Sequence, residues 1–437
     1  MNRPLASGWS CAVCGGAVDI AEALRWRCPN ATETDQHHAL QLVQASVPLR
    51  ADADPNPFVA FQPYLAWDSF AAANGMTEVA RTALVRQVDA QTTAIAGVGF
   101  HVTPFERADA LSDALGFAPD GGVWVKDDTG QVAGSQKARH LITILLHLLT
   151  AESVGLATWS TAADRPPLAI ASCGNAAFAA ATLAAGAAWP IRVFVPPSAN
   201  SVVLARLAEL GADVIECPRR STDPAGDPCI HRFREAVAAG AIPFTTQGTE
   251  NVWCLDGGRT IGWEMAVRMA PQPLDRVFVQ VGAGAFAASV IAGLAMGGET
   301  PRLHAVQTES CAPLRRAYEK TLQLGGPRAA ATRWSECMWP WEHVGSSAAD
   351  GILDDETYDW IPVVRAMAED RGSPIVVTET HVLEANELGR RTTGIDASHT
   401  GTAGLAGVLA SRSRIESNER IAVIFSGVAR TIAEPGV

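Results

Sequence analysis

From about residue 99 onward, eight short apolar runs dominate the chain: GVWVK, LAIAS, IRVFVP, DVIEC, RVFVQVG, LHAVQTE, IVVTE and IAVIFSG. Helical stretches such as SVVLARLAELGA and HRFREAVAAGA lie between them. Unbroken apolar runs of strand length suit parallel strands buried on both faces, and strands alternating with helices indicate βαβ units. The pattern therefore predicts an α/β protein with mostly parallel sheets covered by helices. At 437 residues the chain should form two or three domains, because single cores stop growing near roughly 250–300 residues.

Two stretches, 168–189 and 277–298, approach the length of a membrane span. Each opens as a strand, breaks at a glycine-containing turn and continues as an alanine-rich helix, so buried α/β structure is the better reading and no membrane association is expected. A net charge of −12 argues against an extended nucleic-acid or anionic-membrane footprint. The N-terminus, MNRPLASGWSCAVCGG, has no apolar core of signal-peptide length. Nine cysteines, six of them scattered singly, suit a reducing cytoplasm.

Two strand-to-helix turns are candidate ligand sites, since helix N-termini present free N–H groups at the ends of strands. In VQVGAGAFAAS the turn is Gly282-Ala283-Gly284-Ala285. It could cradle a phosphate with backbone amides, or be a tight turn without a ligand. It also satisfies G-x-G-x-x-A through Gly282, Gly284 and Ala287, with Glu309 closing the next strand, so an NAD-dependent oxidoreductase is a competing reading. In ASCGNAAFAAA, Cys173-Gly174-Asn175 opens a helix, and Asn175 could serve as a cap or as a ligand contact.

Only three of the 34 basic residues are lysines: Lys126, Lys137 and Lys320. Lys137 lies between a small polar loop, VAGSQ, and the apolar stretch LITILLHLL. Arginine cannot form an imine, whereas a desolvated lysine loses its proton and becomes a nucleophile. Burial and a helix N-terminus both disfavour its ammonium form. Lys126 reads as a surface charge. An activated amine beside a phosphate cradle suits pyridoxal phosphate (PLP), which offers an aldehyde to one and a phosphate to the other.

The order of motifs resembles the fold-type-II PLP enzymes, the superfamily of tryptophan synthase β, threonine synthase and the serine/threonine dehydratases. HVTPFERADALSDALGF is similar to that family's opening segment and VWVKDDTGQVAGSQKARH to its Schiff-base segment. LAIASCGNAAFAAATLAA is similar to its substrate loop, and VGAGA to its phosphate loop. RLAELGADVIEC and GGRTIGWEMA resemble small-domain landmarks, SAADGI resembles a dehydratase motif, and IAVIFSGVA resembles the closing strand. The match runs from about residue 99 to 430.

The resemblance implies two three-layer α/β domains with the cofactor between them. Residues 99–150 and 262–437 would form the large PLP-binding domain, 151–261 the small substrate domain, and 1–98 an N-terminal extension. Lys137 would hold the cofactor and then remove the substrate α-proton. Gly282, Ala283, Gly284 and Ala285 would bind the phosphate, Asn175 the ring hydroxyl and Ser426 the pyridine nitrogen. Ser172, Cys173, Gly174 and Ala176 would gather the substrate carboxylate. A neutral hydroxyl at the ring nitrogen does not enforce ring protonation, which favours β-elimination or replacement over transamination. Departures from the family pattern are the alanines of the phosphate loop, Gln136 before the lysine, Cys173 in the substrate loop, and His140 in place of glycine.

The activity implied is an ammonia-lyase type β-elimination on a small L-amino acid with a β-hydroxyl or similar leaving group. Threonine-synthase-like replacement on a phosphorylated amino acid and a non-catalytic PLP-binding protein are the alternatives, and a homodimer is usual in the family. Cys11, Cys14 and Cys28, with His37 or His38, could form a structural zinc knot resembling the ribbon of some threonine synthases. Trp334, Trp339 and Trp341 should pack a loop onto the core rather than form a lid over the substrate, His147 reads as a core histidine, and Arg390-Arg391 could pair with a substrate phosphate but reads better as a solvated helix face.

Overall fold

A computed structural model describes residues 4–32 and 34–430. β1 (Ala6–Cys11), β2 (Ala17–Asp19) and β3 (Leu40–Gln44) form an antiparallel sheet in the order β2-β1-β3. β4 (Phe105–Arg107) and β5 (Gly122–Asp127) are one edge of a larger sheet described below. β6 (Leu168–Ala171), β7 (Ile191–Val195), β8 (Asp213–Glu216) and β9 (Ile242–Pro243) form a parallel sheet ordered β8-β7-β6-β9. β10 (Arg276–Gln280), β11 (Arg302–Thr308), β12 (Ser373–Val377) and β13 (Arg420–Phe425) complete the larger sheet, ordered β12-β11-β10-β13-β5-β4. Only its β4–β5 pair is antiparallel.

All eight apolar runs thus form strands. The two central ones show why their sequences are apolar throughout. Val277 and Val279 of β10 and Ala422 and Ile424 of β13 face one core cluster, shared with the helix Ala285–Met296. Phe278, Ile421, Val423 and Phe425 face the opposite one, shared with the helix His399–Ser411. Side chains alternate across a strand, so covering both faces demands apolar residues at every position.

Two features redraw the sequence-based boundaries. The helix Cys254–Met269 runs straight through the 261/262 division. It packs against the helix Lys137–Ser153 at Gly257 and Gly258, where a Cβ would overlap the Arg139 carbonyl and the His140 ring. Residues before 98 are also no appendage. Trp9 meets Trp253 edge-on at 5.5 Å, Leu24 N–H donates to His147 Nε2 (3.1 Å), and Asp256 accepts from the Ala66 and Trp67 amides (2.8 and 2.9 Å). His147 is fully buried, stacked on Phe70 at 4.1 Å.

The tryptophan-rich loop contains a one-turn helix, Trp334–Cys337. Trp334 packs edge-on against Trp360 (5.4 Å), while Trp339 and Trp341 lie 3.6 and 5.1 Å from the Arg316 guanidinium. These contacts fix the loop to the body of the fold.

Candidate active site

Lys137 is the first residue of its helix, and the loop before it is built to place it. The chain turns through left-handed conformations at Ala133 (φ 56°) and Gly134 (φ 67°), a conformation that costs a non-glycine residue roughly 1–2 kcal/mol. That turn docks the loop against the chain leaving β13. Gln136 N–H donates to the Ser426 carbonyl (3.0 Å), Val428 N–H donates to the Gly134 carbonyl (2.8 Å), and Ser135 bridges Gly427. Lys137 and Ser426, far apart in sequence, are therefore fixed relative to each other by backbone hydrogen bonds.

The same cluster reaches the glycine turn through Gln280 at the end of β10. Its Nε2 lies within hydrogen-bond distance of the Gly401 and Ile424 carbonyls (2.9 and 3.1 Å) and of Ser426 Oγ (2.7 Å). The two carbonyls fix which end of the amide points there. Ser426 thus accepts from an amide and keeps its own O–H to donate elsewhere. After Gln280 the chain turns at Gly284 (φ 100°), which caps the helix Ala285–Met296 and aims its first amides at the cleft.

A cavity of about 770 Å³ lies at the carboxyl ends of the strands of both parallel sheets. Lys137, Asn175, Ser426, Gly282 to Ala285, and Ser172 to Gly174 with Ala176 all line it, so the predicted residues converge. Glu309 follows β11 as an exposed residue and does not line the cavity. Lys137 Nζ makes no hydrogen bond among the described residues. Burial lowers its ammonium below the usual lysine value, against the opposing pull of Asp354 and Cys254.

Lys126 was read as a surface charge, and the structure corrects that. It is fully buried, donates to the Thr103 carbonyl (2.6 Å) and pairs with Glu264. Arg139, one residue beyond Ala138 on the Lys137 helix, pairs with the same Glu264 (2.5 Å) and with Asp128 (3.1 Å). This buried set of charges braces the loop and the helix that present Lys137.

Sequence reasoning missed several cavity residues. Arg430 Nε donates to Asn175 Oδ1 (3.1 Å), and its Nη2 donates to the Ala133 carbonyl (2.6 Å), tying the two sheets together. Arg390, expected on a solvated face, lines the cavity edge and pairs with Asp396 (2.5 Å). Asp227, Asp350 and Asp354 bring three carboxylates to the cavity wall. His140 Nδ1 donates to the Cys254 carbonyl (2.7 Å), and burial holds the ring neutral, with a pKa lowered to about 3. No local pattern marks Arg430 or the three aspartates, since each acquires its place from chain segments distant in sequence.

Away from the cleft, Cys11, Cys14, Cys28 and His38 bring four ligand atoms within 4.8 Å of one another. His37, the alternative, instead stacks on Trp334 at 5.3 Å. Among the described residues no helix is long and apolar enough to cross a membrane.

The family model described as "Pyridoxal-phosphate dependent enzyme" matches residues 98–427. The chain belongs to that family. Among curated proteins it is 24% identical to the threonine synthase of Methanosarcina acetivorans over 336 residues, 74% of each chain. Its fold is similar to threonine deaminase isoform 2 from Solanum lycopersicum (18% identity, TM-score 0.58, covering 82% of this chain and 92% of that one). It is also similar to diaminopropionate ammonia lyase from Escherichia coli (16% identity, TM-score 0.59, covering 80% and 88%). The fold is that of the fold-type-II PLP enzymes. Membership of the family replaces the NAD reading of the glycine turn.

Proposed function

We propose that the protein is a PLP-dependent ammonia-lyase that eliminates a β-hydroxyl or similar leaving group from a small L-amino acid. The residues of the cleft fit the cofactor. Small residues form the turn, Gly284 takes a left-handed conformation, and a lysine with no hydrogen-bond partner among the described residues lines the same cavity. Bound PLP supplies an electron sink for the α-carbon's bonding pair. Lys137 would hold it and move the α-proton. Asn175, its carbonyl engaged by Arg430, keeps its NH2 group to donate to the ring hydroxyl. The first amides of the helix Asn175–Gly186 would orient the substrate carboxylate.

The observation that carries loss of a β-substituent, in elimination or replacement, rather than transamination is Ser426. Its O–H is left free by Gln280, and its surroundings there are an amide and backbone carbonyls. A neutral donor leaves the ring nitrogen unprotonated, so charge at the α-carbon is discharged promptly by losing a β-substituent. The test is to supply PLP to purified protein and assay ammonia and 2-keto acid from L-serine and L-threonine. Release from either supports the reading. Turnover of phosphohomoserine alone would replace it with threonine-synthase-like chemistry, which the M. acetivorans relative favours. Against that alternative, both cavity arginines already have partners, Arg390 in Asp396 and Arg430 in Asn175 and Ala133, so a substrate phosphate would have to compete for them.

We also propose that Cys11, Cys14, Cys28 and His38 hold a structural zinc ion. Three thiols and an imidazole form a tetrahedral zinc donor set. The donors already converge, with Cys14 and Cys28 Sγ 3.5 Å apart and Cys11 Sγ 3.5 Å from His38 Nδ1. The Gly16 amide and Asn30 Nδ2 donate to Cys14 Sγ (3.4 and 3.3 Å), as suits a thiolate, and Asp35 lies 3.6 Å from the other His38 nitrogen. Metal analysis should find one zinc per chain, lost in Cys14→Ser. Metal-free protein of unchanged stability would overturn the assignment.

A further inference from the structure

The inference concerns the glycine turn and rests on the reading of it as the phosphate site. That turn already has a carboxyl group seated against it. Asp354 lies over it so closely that a Cβ on Gly282 would overlap the carboxyl group, and the nearby Ala283 amide favours its ionised form. The segment bearing Asp354 is tied down beside the turn. Cys311 Sγ donates to the Asp354 carbonyl (3.1 Å), Gly351 N–H donates to Thr400 Oγ1 (3.1 Å), and Asp359 N–H donates to the Ala283 carbonyl (2.8 Å). A carboxylate and a phosphate cannot both take the amides of one short turn, and like charges at such a distance repel.

We propose that Asp354 competes with the cofactor phosphate for the Gly282–Ala285 turn, so that this carboxylate lowers the affinity for PLP and is the residue that must yield for it to seat. In the absence of cofactor, the same carboxylate faces the Ala283 amide and offers countercharge to Lys137. The groups around it are consistent with that exchange. Burial, Asp355 and Asp227 favour the neutral acid, while Lys137 and the Ala283 amide favour the ionised one, and the balance stands raised to about 6. Tyr358, Cys311 and Cys173 also feel the Asp354 charge, and the shift on each is upward, toward the uncharged form. An arriving phosphate would favour the neutral acid further.

Equilibrium titration of the cofactor-free protein with PLP and, separately, with pyridoxal tests this, because pyridoxal lacks the phosphate. Asp354→Asn should bind PLP about tenfold or more tightly, on the order of one removed like-charge contact in a partly solvated cleft. Its affinity for pyridoxal should stay within about twofold of the parent. Asp354→Ala should show the same split, with circular dichroism confirming the fold of both variants. Unchanged or weaker PLP binding, or equal shifts for the two ligands, would overturn the proposal while leaving the PLP assignment standing. A parent protein that takes up neither ligand would instead sink the assignment on which it rests.

Discussion

Lys126 and Lys137 stand eleven residues apart, both withdrawn from bulk water, and they live in opposite electrostatic situations. Lys126 is matched by Glu264 and the Thr103 carbonyl, and Glu264 is shared with Arg139. Lys137 faces an open cavity with no hydrogen-bond partner among the described residues and feels Asp354 only at a distance. Burial disfavours the charge of both. Paired charge braces a structure, whereas an unpaired amine in a cleft is free to react. One segment thus carries both a brace and a candidate catalyst.

The widest separation should come from removing each lysine in turn. Lys137→Ala and Lys137→Arg should both lose turnover by about 10³-fold or more, the scale of deleting a covalent catalyst. They should also lose the visible absorption band that borohydride bleaches in the parent, since arginine cannot replace the amine. A band retained in either variant would refute the role. Lys126→Met should do the converse, costing about 3–5 kcal/mol of stability by leaving buried Glu264 short of one partner. Denaturant unfolding reads that loss, and folded Lys126→Met should still develop the band. If it unfolds no more easily than the parent, the buried pair is not a brace.

Smaller effects sharpen the contrast. Ser426→Ala should lower elimination about tenfold, the worth of one hydrogen bond, with the Lys137 band retained but shifted. The pH dependence of cofactor uptake should separate Lys137 from an ordinary lysine. Its pKa is lowered, so the neutral amine persists to lower pH, and the uptake rate should reach its plateau below the pH at which a free lysine side chain would. Asp354→Asn should move that plateau slightly lower again, because Asp354 favours the ammonium form. A plateau at the ordinary lysine pKa would show that burial does not act on this amine.

Much of this was legible because the relevant constraints are local. Strands such as RVFVQ and RIAVIF announce themselves because both faces are covered, whereas the two- and three-residue strands Ile242–Pro243 and Phe105–Arg107 are too short to carry a period. Lys137, Asn175 and the glycine turn were legible as residue types tied to a backbone context. Asp354, Arg430 and Gln280 were not, because nothing beside them in the chain differs from an ordinary polar position. The error over Lys126 has the same origin: Glu264 is 138 positions away.

The sequence by itself determined the layered α/β architecture, the family and the lysine that is the candidate reactive amine, since burial patterns and covalent chemistry are written into residue type and local spacing. Tertiary structure alone decided which lysine is paired, which histidine joins the three cysteines, and that an aspartate lies on the glycine turn. Those outcomes depend on distances between segments far apart in the chain, and electrostatic energy is set by distance and burial.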